Sequence, residues 1–209
     1  KEAAVRYARE CAKVQRYMDN MEKPLVAAVN GMALGGGLEL AIRCQSLIAM
    51  HKARFQFPEI TLGILPGIGG CIVPYRKWPQ GAQVFHEMIC LGKSITAQEA
   101  HGIGMVEYLV DDYFDLFQAA VSKVHAMDGK LPRITNEKID IPQIQIPSHP
   151  KIGEQPLSRD AISIIAKTIQ EGANSESFEE ALERGYQGFG QIACTEAAQE
   201  GITAFLEKR

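Results

Sequence analysis

Apolar and polar positions follow two different periods along the chain, and the change of period locates the predicted elements. Residues 2–18 place apolar side chains every three or four positions with charged ones opposite, which predicts an amphipathic helix. After Pro24, residues 25–29 form a short run rich in valine and alanine, which predicts a buried strand. Three consecutive glycines follow, then an apolar run with one carboxylate, so we expect a turn and a helix to about Arg43.

Strands are predicted again at residues 46–50 and 54–57. Because strand, helix and strand at this spacing form a parallel crossover, the predicted fold class is α/β. Beyond a second loop rich in glycine and proline (residues 62–70), the pattern predicts helices ending near Trp78 and Cys90, a capping-box helix opened by Thr96 and Glu99, a strand at 105–110 and an amphipathic helix at 112–127.

The composition changes after residue 128. Residues 129–156 hold five prolines and little periodicity, which predicts an extended connector. Helical patterns return at residues 158–170, 177–194 and 195–209. The predicted organisation is therefore a core part at residues 1–128, a Pro-rich connector at 129–157 and a helical region at 158–209.

Composition and charge restrict the class of protein. At 209 residues and 46% apolar content the chain can bury a core, and a net charge of −3 gives no reason to expect nucleic acid or a membrane as partner. Five cysteines without a C-x-x-C pair favour reduced thiols and a cytoplasmic location. The first residue is not Met and lies within a helical pattern, so we expect a piece of a longer chain.

The glycine turn at residues 35–37 predicts a site for a negatively charged or negatively charging oxygen. Glycine lets a ligand approach the backbone closely, and the first N–H groups of a helix point into that space. A dinucleotide fingerprint fails at Leu40, where a glycine or alanine is required, and Glu39 would repel a pyrophosphate. The five histidines lack metal-ligand spacing and are expected at the surface or on helix faces, so no metal site is predicted.

Glu39 and Glu59 are each a single carboxylate in an apolar, glycine-rich stretch next to a turn. In one cavity they would interact electrostatically, and burial would raise at least one pKa toward neutrality, which suits general acid–base catalysis. The alternative is that each carboxylate stabilises a nearby helix end. The spacing by itself leaves both interpretations open.

The ordered motifs of the chain resemble the crotonase (enoyl-CoA hydratase/isomerase) superfamily. The similarity is carried by residues 23–41 (KPLVAAVNGMALGGGLELA), 55–60 (FQFPEI), 62–70 (LGILPGIGG), 91–97 (LGKSITA), 104–106 (GMV) and 201–209 (GITAFLEKR). The connector and residues 193–198 (ACTEAA) look most like hydratase domains fused to 3-hydroxyacyl-CoA dehydrogenases. The resemblance implies part of a crotonase-like spiral fold, without the N-terminal units, followed by a C-terminal helical region.

The resemblance also implies the chemistry. Glu39 and Glu59 match the two catalytic glutamates that activate water and deliver a proton, which favours an enoyl-CoA hydratase of fatty-acid β-oxidation. Gly36 matches a backbone donor of the oxyanion hole, and Gly67 matches the loop residue near the bound water. Phe205 and Lys208 match terminal-helix residues that contact CoA.

No cofactor is implied besides the CoA of the acyl-CoA substrate, and NAD only if a fused dehydrogenase domain lies outside this chain. Family members form trimers or hexamers, so a homo-oligomer or a fused assembly is expected. The second oxyanion N–H of the family lies in a segment ahead of Lys1, so we expect the 209 residues alone to be inactive. A double-bond isomerase and a non-catalytic assembly fragment stay open as alternatives.

Overall fold

The computed structural model describes residues 1–208 of the chain. The first predicted helix is two helices, α1 (Glu2–Cys11) and α2 (Lys13–Asp19), which meet at Ala12. Val5 and Ala8 form the buried face of α1, which packs against a helix near the C-terminus, α9 (Phe178–Ile192). The two helices approach closely at Gly190, which has no side chain: a Cβ atom there would lie only 2.2 Å from Cγ2 of Val5.

Two short sheets form the centre of the fold. In the first, β1 (Val26–Val29), β3 (Ser46–Met50) and β6 (Tyr108–Val110) are parallel, in the order β1-β3-β6. In the second, β2 (Met32–Leu34) pairs in parallel with β4 (Arg54–Gln56), and β4 pairs antiparallel with β5 (Ile95–Thr96). The parallel crossover and the α/β class are thus confirmed.

The region before the glycine turn differs from the prediction. The strand expected at residues 25–29 is present as β1, but the chain then bends at residues 30–31 and forms a further strand, β2, in the second sheet. The strands β1 and β2 therefore pair with different strands. The bend delivers the glycine turn to the second sheet, next to the end of β4.

Five helices and two 3₁₀ turns connect these strands and follow them along the chain. They are α3 (Gly36–Ala41), α4 (Val73–Lys77), α5 (Ala82–Leu91), α6 (Ala97–Gly102) and α7 (Tyr113–Met127), with 3₁₀ turns at Pro58–Leu62 and Pro79–Gly81. Thr96 and Glu99 form the predicted capping box at the start of α6. Asp112 accepts a hydrogen bond from the N–H of Asp115 at the start of α7.

The connector has no helix, and its only regular structure among the described residues is a small hairpin, β7 (Lys151–Ile152) and β8 (Gln155–Pro156). Three helices follow: α8 (Arg159–Ala173), α9 and α10 (Glu196–Leu206). Ser158, Ser177 and Thr195 each accept a hydrogen bond from a backbone N–H in the first turn of the helix that follows.

One hydrophobic cluster connects all parts of the chain. It includes Val5 of α1, Phe55 of β4, Ile141 of the connector and Ile192 of α9. The boundaries at residues 128 and 157 stay predictions. All five cysteines are free, and residues 1–208 contain no helix that is both long and apolar enough to cross a membrane.

Candidate active site

Glu39 lies in the first turn of α3 and points into the protein. Gly35 precedes the helix with φ = 51°, a backbone conformation that favours glycine. The Glu39 residue is 4% exposed, and its Oε1 accepts hydrogen bonds from the N–H groups of Ile68 (2.9 Å) and Gly70 (2.7 Å). Burial raises the pKa of Glu39 to about 7, against the opposing effect of these two bonds and of the Arg43 charge.

The second glycine loop is packed tightly around this carboxylate. A Cβ atom at Gly70 would lie 2.5 Å from Cβ of Pro66 and 3.1 Å from Oε1 of Glu39. Gly69 has φ = 130°, which a residue with a side chain rarely adopts. Glycine is needed here so that the two N–H groups can reach Glu39.

Glu59 reaches the same place from the second sheet. It lies in the 3₁₀ turn that directly follows β4, and a Cβ atom at Gly35 would be 3.0 Å from its Oε1. Its Oε2 is buried and has no hydrogen-bond partner among the described residues. Burial, followed by the negative charge of Glu39, raises the pKa of Glu59 to about 8.

The parallel pairing of β2 with β4 explains why the two acids meet. The N–H of Gly35 donates to the carbonyl of Gln56 at 3.0 Å, so the ends of the two strands lie side by side. Each acid comes a few residues after its strand, and both strands end at the same edge of the sheet. The structure therefore brings together the two carboxylates that the sequence singled out.

Gly36 faces open space next to this pair. It is the first residue of α3, and the N–H groups of a first helical turn have no acceptor inside the helix. A Cβ atom at Gly36 or Gly37 would meet nothing within 4 Å. A ligand atom therefore has room to approach the start of the helix, as an oxyanion site requires.

Gly67 and the C-terminal residues occupy different surroundings. A Cβ atom at Gly67 would lie 2.6 Å from Cδ2 of Phe189, so this loop residue packs against α9. Phe205 is 68% exposed on α10 and lines a separate cavity of about 510 Å³ with residues 60–63. Lys208 follows the end of α10 with φ = 57°. The catalytic and CoA-binding roles of these residues stay predictions.

Arg43 is a neighbour of the site that the sequence reasoning missed. Its guanidinium Cζ lies 3.6 Å from the position that a Cβ atom of Gly69 would take, and its charge lowers the pKa of Glu39. A cation four residues after Glu39, just beyond the apolar helix α3, was a signal that could have identified it. His86 lies on the buried face of α5, where its Nδ1 is 2.9 Å from the hydroxyl of Tyr75.

No group of three or more His, Cys, Asp or Glu side chains within residues 1–208 is placed to hold a metal ion. The groups that line the site are its two carboxyl groups and its backbone donors. One acid is fixed by two N–H groups and the other has a free oxygen. Such a pair can hold a water molecule and exchange protons with it.

Comparison with known proteins identifies relatives of most of the chain and of its central part. A 2,3-dehydroadipyl-CoA hydratase of Escherichia coli K12 is 36% identical over 189 residues, which are 90% of this chain and 61% of that protein. The peroxisomal fatty acid beta-oxidation multifunctional protein AIM1 of Arabidopsis thaliana is 45% identical over 95 residues, 44% of this chain and 13% of that protein. The chain thus spans less than two thirds of the length of these relatives.

Solved structures give the same result. The crystal structure of a carnitinyl-CoA hydratase from Mycobacterium avium matches with a TM-score of 0.62 at 27% identity, over 92% of this chain and 64% of that one. The model of the family described as enoyl-CoA hydratase/isomerase matches residues 1–137. The crotonase resemblance is confirmed, and the chain belongs to the enoyl-CoA hydratase/isomerase family.

Proposed function

We propose that this chain carries the acid–base machinery of an enoyl-CoA hydratase, which adds water reversibly to a 2-enoyl-CoA to give a 3-hydroxyacyl-CoA. The observation that supports it best is the convergence of Glu39 and Glu59, with pKa values raised to about 7 and about 8, beside the open start of α3. Carboxyl groups with pKa values near neutrality can both donate and accept a proton at physiological pH.

Each group has a separate role in the proposed reaction. The N–H of Gly36 stabilises the negative charge that develops on the thioester oxygen. Glu39 and Glu59 hold the water between them; one takes a proton as the oxygen attacks the β-carbon, and the other delivers a proton to the α-carbon. Gly67 lies one residue before Ile68, whose N–H binds Glu39, so it fixes the loop that positions this acid.

The substrate's CoA is proposed to extend toward α10. This helix lies against the 3₁₀ turn that carries Glu59, because a Cβ atom at Gly201 would be only 2.5 Å from the carbonyl oxygen of Leu62. Phe205 is exposed at this end and offers an aromatic face for a base, and Lys208 offers a cation for a phosphate. We propose CoA as part of the substrate, with no further cofactor required by this site.

Two relatives set the wider context of the proposal. The hydratase named above acts on a dehydroadipyl-CoA, and the multifunctional protein belongs to β-oxidation, as their names state. We propose that this chain acts in fatty-acid β-oxidation, as a homo-oligomer or joined to a dehydrogenase domain. The dehydrogenase would use NAD at its own site.

The experiment that tests this function is the hydration of crotonyl-CoA, which is monitored through the loss of the conjugated enoyl thioester. In the longer natural protein that contains this chain, Glu39→Gln and Glu59→Gln should each lower kcat by about 10²-fold or more, the usual contribution of a general acid or base. Glu154→Gln, an exposed carboxylate in the β7–β8 hairpin, is the matched control and should leave the rate unchanged.

The assay should include the 209-residue chain and the longest natural protein that contains it. We expect little or no hydration by the short chain and full hydration by the longer one, because the second oxyanion donor of the family is expected outside these residues. If one of the two Gln variants still catalysed migration of the double bond, the protein would be an enoyl-CoA isomerase instead. Wild-type rates in both Gln variants of the longer protein would exclude the proposed acid–base pair.

A further inference from the structure

A second cavity lies at the C-terminal end of α3, opposite the end that carries Gly36. Its volume is about 590 Å³, and neither Glu39 nor Glu59 lines it. Among its lining residues are four cations and one acid: Arg43, Arg76, Lys77, Arg133 and Asp19. This excess of positive charge is unusual for a chain whose net charge is −3.

Arg43 is the most deeply buried of these cations. Its side chain is 0% exposed, its Nη1 lies 3.2 Å from Oδ2 of Asp19, and its guanidinium stacks 5.2 Å from the ring centre of Phe178. Its three guanidinium nitrogens are all buried, with the Tyr186 side chain beside them. Arg43 therefore contributes a fixed positive charge from behind the cavity wall.

The other three cations are held in place by neutral carbonyl groups. Lys77 Nζ donates to the carbonyl oxygens of Ile42 and Cys44, at 3.0 and 2.5 Å. Arg76 donates to four backbone carbonyl oxygens of residues 135, 137, 172 and 175. Arg133 donates to the backbone carbonyl of residue 19. Carbonyl partners fix the side chains but leave the positive charges uncompensated.

The acids around the cavity are too few to balance this charge. Asp19 pairs with Arg43, and burial raises the pKa of Asp19, which opposes its ionisation. Glu180 acts electrostatically on Arg76 but is not part of the lining. Because their carbonyl partners already hold these cations in place, the side chains are fixed before a ligand arrives. Such preorganisation lowers the free-energy cost of binding an anion.

We propose that this cavity binds a phosphate group, separately from the proposed acyl-CoA site. Guanidinium groups match the geometry of phosphate oxygens, and an ammonium group adds a point charge beside them. In the complex, Lys77 and Arg133 meet the phosphate oxygens at the rim, and the buried Arg43 adds its charge from behind the cavity wall. The volume also accommodates a phosphomonoester, whose phosphate would occupy the same position.

Isothermal titration of the intact chain with inorganic phosphate tests this site, with chloride used to keep the ionic strength constant. We expect saturable binding at one site. Lys77→Gln should weaken it about tenfold and the more exposed Arg133→Gln about threefold, because each removes one charge and keeps a donor. Lys130→Gln removes an exposed charge that does not line the cavity, and should change the affinity less than about twofold.

The second titrant is glycerol phosphate. Tighter binding than inorganic phosphate would support the site with a phosphomonoester as its ligand, and equal binding would support recognition of the phosphate group alone. If Lys77→Gln does not fold, as judged by circular dichroism, the exposed Arg133→Gln decides. Absence of saturable binding, or equal affinity in wild type and Arg133→Gln, would overturn the proposal.

Discussion

The two glycine-rich loops of the site, residues 35–37 and residues 66–70, differ in what surrounds them. At Gly36 and Gly37 an added Cβ atom would meet open space, whereas at Gly67 and Gly70 it would come within 2.6 Å of another side chain. The first loop keeps its N–H groups accessible, and the second is a packed support that donates two N–H groups to Glu39. Similar sequences therefore serve ligand access in one loop and close packing in the other.

The two acids differ in the same way. Glu39 is fixed by the second loop through two short hydrogen bonds, while Glu59 lies against Gly35 with one oxygen free of partners. Each acid thus depends on the other loop: the packed loop fixes the acid of the open one, and the open loop leaves room for Glu59. The arrangement gives one rigid and one less constrained carboxyl group.

Among tests of the difference between the two loops, the largest effect on stability is expected from Gly70→Ala. The new methyl group would overlap Pro66 and press on the Glu39 carboxylate, so the free energy of unfolding should fall by about 2–3 kcal/mol. Urea unfolding measures it. Gly31→Ala, where the methyl group meets nothing within 4 Å, is the control and should change stability by less than about 0.5 kcal/mol. Equal losses in both variants would show that the second loop is not packed as described.

An intermediate effect is expected from pH. Both carboxyl groups have folded-state pKa values, about 7 and about 8, above the ordinary value of 4.5. The folded protein therefore retains protons that the unfolded chain releases, and the free energy of unfolding should fall as the pH rises from about 4.5 to about 8. Below about pH 4.5 both acids are protonated in the folded and the unfolded chain, so the two buried charges do not destabilise the protein. Above about pH 8 the loss of stability is complete.

Glu59→Gln isolates the contribution of the less constrained acid. It removes the cost of a buried charge, so at pH above about 8 the variant should exceed the wild type by about 1–2 kcal/mol, and the two should converge at acidic pH. Urea unfolding at several pH values gives the curve, with Glu154→Gln as the control. A variant curve parallel to that of the wild type would contradict the raised pKa.

The smallest effect is expected from Gly36→Ala, which should raise the stability that Gly70→Ala lowers. The methyl group meets no atom, and alanine restricts the unfolded chain, so stability should rise by about 0.5 kcal/mol. Hydration of crotonyl-CoA by the longer natural protein should fall, because the methyl group enters the space proposed for the thioester. Thermal unfolding and the rate assay separate the two effects. A variant that is both less stable and fully active would contradict the proposal that the Gly36 N–H binds the thioester oxygen.

Local sequence determined much of the fold, where the signal lies within a few residues. The capping box at Thr96 and the strand at residues 46–50 were both predicted, because the signal of each is complete within one turn or one strand. The α/β class followed from the order of these elements. Local patterns missed the division of the first helix at Ala12 and the strand β2, whose partner β4 is distant in sequence.

The sequence by itself also identified Glu39, Glu59 and the glycine turn, because a carboxylate among apolar residues is visible without any structure. It left open whether the two acids meet. Only the tertiary structure decided this, since the pairing of β2 with β4 places the two strand ends side by side, and the loop around Gly70 supplies the donors for Glu39. Burial, and therefore the pKa of each acid, depends on atoms distant in sequence, so no local pattern could determine it.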